Sequence, residues 1–138
     1  MTFAHRLQWA YGFAAGVTTL VYVAWLGIQL SHTPAAEIDF VPALLWTLLA
    51  SFIIHSLGRG AVMGARAKSR VSDERDRAVT VRGDALSFYV FSVMAAVPLL
   101  LGLLEVEPFW ITNTLFLAFA AAAVFGVIAK TVLYTKGA

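Results

Sequence analysis

Arg66-Ala67-Lys68-Ser69-Arg70-Val71-Ser72-Asp73-Glu74-Arg75-Asp76-Arg77-Ala78-Val79-Thr80-Val81-Arg82-Gly83-Asp84 is the stretch that decides the fold. It holds six of the ten Lys and Arg and four of the eight Asp and Glu of a 138-residue chain. The whole chain is nonetheless 60% hydrophobic, and only 13% of its residues are charged. A soluble domain carries about a quarter of its residues as charges. A disordered chain or a nucleic-acid coat is excluded by the same figures. The formal charge of +2 is too small to define a partner, so the position of the charges carries the information.

Working outward, the apolar sequence falls into four blocks at about 7–30, 40–63, 86–104 and 109–134, joined in the middle by the charged connection 64–85. A helix needs about 20 residues to cross the hydrocarbon core. The first block is too long for the apolar centre of a secretory signal and carries Trp9, Tyr11, Tyr22 and Trp25, so it reads as a retained helix. Pro42 suits a first helical turn, Pro108 marks the start of the fourth block, and Pro98 predicts a kink in the third. The expectation is an all-α integral membrane protein: a single domain over 1–138, built as a four-helix antiparallel bundle of two helical hairpins.

Orientation follows from the basic residues. Arg6, Arg59, the six in the connection, Lys130 and Lys136 fall on one side of this layout, whereas the two hairpin loops hold only Glu37 and Asp39, and Glu105 and Glu107. The positive-inside rule then places both termini and the connection in the cytoplasm. Both loops lead from acids through a proline to an aromatic residue, Trp46 after Pro42 and Trp110 after Pro108. A parallel repeat of the hairpin would give this, and so would the composition of any outward loop entering a helix.

Within the connection, Ser72 followed by Asp73 and Glu74 reads as an N-cap with acids in the first turn, and Asp73 and Arg77 are spaced to pair. A helix is expected from Ser72 to Arg82, with Gly83 as a break before the third span. Arg66, Lys68 and Arg70 fall at the depth of anionic lipid head groups. Asp73, Glu74, Arg75, Asp76, Arg77 and Arg82 place both signs within a few turns, a pattern suited to pairing with a protein partner.

The string Asp73-Glu74-Arg75-Asp76, the pair Arg82-Gly83 and the following apolar helix with Tyr89 resemble a family of small four-helix bacterial and archaeal membrane proteins of unknown function. The resemblance covers residues 71–92 by motif and the rest by hydropathy. It implies a multi-pass protein of the prokaryotic cytoplasmic membrane and supplies no activity, substrate or catalytic residue.

Small residues recur four apart, as Gly12 and Gly16, Gly60 and Gly64, and Ala118, Ala122 and Gly126. Helices in lipid associate through close packing at such stripes, which can serve the bundle or a homodimer. Chemistry has fewer candidates. Cysteine is absent, which removes thiol nucleophiles and thiolate metal sites. His55 is the ionisable side chain that this layout puts inside the hydrocarbon. It can bond a hydroxyl of a neighbouring helix or contact a haem, quinone or metal, although no metal-ligand spacing supports the last.

Ser51 lies one turn from His55, but no acid is at hand to orient the imidazole, so an intramembrane hydrolase is not expected. The reading that remains has no cofactor, no metal and no nucleic acid. It is a non-enzymatic membrane protein, an accessory subunit or small regulator acting through its charged connection; the alternative is a small-solute transporter or channel built as an oligomer. Cysteine labelling at positions 35, 70, 106 and 137 checks the orientation. Positions 70 and 137 should be protected from an impermeant outside reagent and 35 and 106 labelled, and outside labelling at 70 would reverse the topology.

Overall fold

Hydrocarbon offers no water to the peptide group, so an apolar chain satisfies its N–H and C=O groups by turning into helix. The computed structural model describes residues 3–68 and 74–136 and is all-α. Its order is α1 (Phe3–His32), a 3-10 turn at Ala35–Glu37, α2 (Val41–Lys68), α3 (Glu74–Leu103) and α4 (Pro108–Lys136). Among the described residues three helices are long and apolar enough to cross a membrane, through Val41–Gly58, Arg77–Leu103 and Pro108–Thr135. The chain divides into two compact units, Met1–Val71 and Ser72–Ala138, each a helical hairpin.

In the first hairpin α1 packs on α2. The hydroxyls of Thr18 and Ser51 share a hydrogen bond of 3.0 Å between the two helices. At the turn, the amide of Glu37 donates to the carbonyl of Pro34 and that of Phe40 to Ile38. Ile38 is buried there as the apolar plug of the loop. Gly16, Gly60 and Gly64 have open space where a side chain would stand, so the close approach expected of their stripes is not made at those positions. The surroundings of Gly12 lie outside the description.

The second hairpin is closer. α3 ends in a Schellman motif, in which the amide of Val106 donates to Leu101 at 3.0 Å and that of Glu105 to Gly102 at 3.1 Å. Glu105 holds the left-handed position of this motif, at φ 54°, where glycine is usual. Pro108 opens α4, and the carbonyl of Glu107 accepts from the amide of Trp110 at 3.0 Å. Down the pair, Phe91 meets Phe119 with ring centroids 4.5 Å apart. The Ser87 hydroxyl donates to the carbonyl of Ala122 at 2.6 Å, which brings a side chain of α3 against the backbone of α4.

This contact explains the small residues of α4. Ala118, Ala122, Gly126 and Ala129 form a buried stripe. A Cβ on Gly126 would stand 3.1 Å from the Ser87 hydroxyl oxygen. Elsewhere the hydroxyls of Thr47, Ser92, Thr114 and Thr131 donate to carbonyls four residues earlier in their own helices. That bond lets a hydroxyl lie in hydrocarbon. Asn113, a buried polar residue, does the same with its amide on Phe109 at 2.8 Å.

One expectation about the connection is corrected. Gly83 does not break the helix: α3 runs without interruption from Glu74 through Gly83 and Pro98 to Leu103. Glycine lowers helix propensity by only about 1 kcal/mol, and packing overrides it here. The proposed cap Ser72 lies outside the described residues. The Thr18–Ser51 bond generates a test. A double-mutant cycle with Thr18→Ala and Ser51→Ala should show coupling of about 0.6 kcal/mol, with roughly 1.7 as the upper limit. Additive losses in SDS or thermal unfolding would show that the bond contributes nothing.

Candidate functional site at the charged end of the second hairpin

An isolated ammonium on an apolar helix must find an anion or reach water. Lys130 is the sole charged residue between Pro108 and Tyr134. Its Nζ lies 2.6 Å from Oδ1 of Asp84 on α3. The lysine side chain is only 19% exposed, whereas that of Asp84 is 65% exposed. To reach Asp84 the methylene stem crosses the backbone of α3 at Gly83, where any Cβ would overlap Lys130 Cγ. Gly83 is therefore a notch for the lysine stem, the physical reason a glycine sits inside this helix.

The turn before the notch continues the same logic. Val79, one turn earlier, is 1% exposed, so the charged part of α3 has a packed face along Val79, Gly83 and Ser87. Arg77, Val81 and Arg82 are exposed. Thus two of the residues expected to meet a partner, Arg77 and Arg82, stand on the surface of a continuous helix. Asp73 and Arg70 lie outside the described residues, and so does the Asp73–Arg77 pairing. Glu74, Arg75 and Asp76 begin α3, and Arg66 and Lys68 end α2, but the side chains of these five also lie outside the description.

His55 is not enclosed between α1 and α2, as a buried structural imidazole would be. It is exposed on α2. Ser51, one turn away, shares a hydrogen bond of 3.0 Å with the Thr18 hydroxyl of α1. Among the described residues no group of three His, Asp or Glu could hold a metal ion.

Beside the Asp84–Lys130 pair, the surface of the hairpin opens into a groove of about 340 Å³. Asp84 and Ser87 line its charged end, and Phe88, Phe91 and Phe119 line its apolar length. Ala122 and Ala123 line it on α4, where larger residues would fill it. The groove and the pair escaped the sequence reading, which grouped Lys130 with the terminal charges and Asp84 with the connection. The available signal was Lys130 itself, because a lone cation in an apolar helix calls for an anion at its own depth on the antiparallel neighbour.

No protein-family model matches the chain, and no curated protein or solved structure shows significant similarity to it. The notch gives a test that reverses sign. Gly83→Ala should destabilise the protein with Lys130 present, by displacing its stem. In a Lys130→Ala background the same change should stabilise by about 0.5–1 kcal/mol, the ordinary gain for a helical glycine. Equal effects in both backgrounds, measured by thermal unfolding, would remove the notch as the role of Gly83.

Proposed function

We propose that the chain is a non-enzymatic membrane protein, an accessory subunit or small regulator, whose working surface is the charged start of α3. The observation that carries this reading is the continuity of α3 over 30 residues, Glu74–Leu103. Such a helix is about 45 Å long, against a hydrocarbon core of about 30 Å. It delivers its charged turns beyond the apolar layer as a rigid extension of a spanning helix. Val79 and Gly83 fasten one face of this extension, while Arg77 and Arg82 remain exposed on others. A pre-ordered charged surface loses less entropy on docking than a flexible loop would.

The orientation read from the basic residues makes this surface cytoplasmic, and the resemblance to small prokaryotic membrane proteins makes the membrane the cytoplasmic one. The partner is then a protein with acidic groups at the membrane surface, or a second copy of the chain. Arg77 and Arg82 are exposed, so they contribute little to folding. Combined Arg77→Glu and Arg82→Glu should leave unfolding within about 0.5 kcal/mol of the parent and release partners that copurify with the native protein from membranes. Retention of every partner by the reversed variant, or purification of the parent without any, would refute the reading.

A further inference from the structure

The groove beside Asp84 has a polar end at Asp84 and Ser87 and an apolar length along Phe88, Phe91 and Phe119; with α3 read as a spanning helix, that polarity runs along the membrane normal. Asp84, Phe88 and Phe91 follow one another at helical spacing on one face of α3. From Asp84 to Phe91 is about 10 Å, the reach from the head-group boundary into the hydrocarbon. Phe88 and Phe119 are 66% and 56% exposed, so the groove is open to whatever surrounds the hairpin at that depth. It is an open surface groove of about 340 Å³, suited to a flexible chain lying along it rather than to an enclosed ligand. At the edge of a bilayer the amphiphile at hand is a phospholipid.

The charges select among phospholipids. Lys130 occupies Oδ1 of Asp84, and the carboxylate is still largely exposed. The Ser87 hydroxyl, which also faces the groove, donates its proton to the Ala122 carbonyl, so toward a ligand it can only accept, and it carries no charge to select a head group. Asp84 and Lys130 together are neutral, so the pair has no long-range preference for an anionic or a cationic head group. A zwitterion extends it in alternating sign, ammonium against carboxylate and phosphate beside lysine. A primary ammonium adds N–H donors to that match, a choline head has none, and a glycerol head lacks the cation.

We propose that the groove of the second hairpin binds a phospholipid with a primary-ammonium head, of the phosphatidylethanolamine type. The ammonium donates to Asp84, the phosphate lies toward Lys130, and an acyl chain runs along Phe88, Phe91 and Phe119 over Ala122 and Ala123. The site rests on the membrane reading of the chain and is independent of any protein partner at Arg77 and Arg82.

The test uses the full chain, extracted from membranes in mild detergent and exchanged into nanodiscs of phosphatidylethanolamine, phosphatidylcholine or phosphatidylglycerol. Lipid retention is read by native mass spectrometry after release. The parent should retain one phosphatidylethanolamine in roughly ten-fold preference to phosphatidylcholine, the difference a charge-assisted hydrogen bond provides. Asp84→Asn should abolish the preference. Because that change also removes the partner of Lys130 and can unfold the hairpin, Ala123→Phe supplies a second variant. Ala123 is exposed, and a phenyl ring there fills the groove while Asp84 and Lys130 stay paired. It should lose the retained lipid with unchanged thermal stability.

Equal retention of phosphatidylethanolamine and phosphatidylcholine by the parent, or undiminished retention by Ala123→Phe, would overturn the site. So would preference for phosphatidylglycerol, which would assign lipid binding to the basic residues. Loss of the lipid site leaves the partner reading standing. Recovery of the chain in the soluble fraction without detergent would refute both.

Discussion

The closeness of α3 to α4 governs the second half of the molecule. A seryl hydroxyl at 2.6 Å from a carbonyl of the facing helix requires the backbones to approach until only small residues fit between them. Ala118, Ala122, Gly126 and Ala129 supply that surface on α4, and Gly83 supplies it on α3. Lipid tails are as apolar as leucine, so no hydrophobic force drives these helices together; packing and interhelical hydrogen bonds do. From that approach follow the path of the Lys130 stem, its pairing with Asp84 and the position of the groove alongside.

The two hairpins are fastened differently. In the first, a hydroxyl pair bridges α1 and α2, and the glycines at 16, 60 and 64 leave open space. In the second, a Schellman turn, a ring pair, a hydroxyl-to-backbone bond and an ion pair follow one another down the seam. The turn holds Glu105 in a backbone conformation that an L-residue enters at a cost, and two backbone hydrogen bonds offset it.

Charge in this chain has two separate duties. Asp84 and Lys130 satisfy one another between α3 and α4, so neither charge is left alone on an otherwise apolar hairpin. Arg77 and Arg82 are exposed on the same helix, N-terminal to Asp84. Burial of Val79 between them and of Gly83 just after them orders the segment without using its charges. Such a surface is suited to recognition, since its side chains remain available while its backbone is already fixed.

The sequence by itself determined the all-α class, the four long helices and the places where they turn, because each depends on local matters: run length without charge, prolines at helix starts and acids in short loops; of the four blocks read as spans, three helices are long and apolar enough to cross a membrane among the described residues. Ala118, Ala122 and Gly126 were legible as a packing stripe from their spacing. Gly12 and Gly16 have the same spacing, and Gly16 proved to face open space, since spacing shows where a close approach is permitted and not whether a neighbour arrives. Gly83 read as a break because glycine is a poor helix former. Only the antiparallel register of α3 and α4 decided that it is a notch, and the same register joined Asp84 to Lys130 across 46 positions of sequence. Those contacts depend on which residues two helices bring to the same depth, a property of the pair that neither segment contains alone.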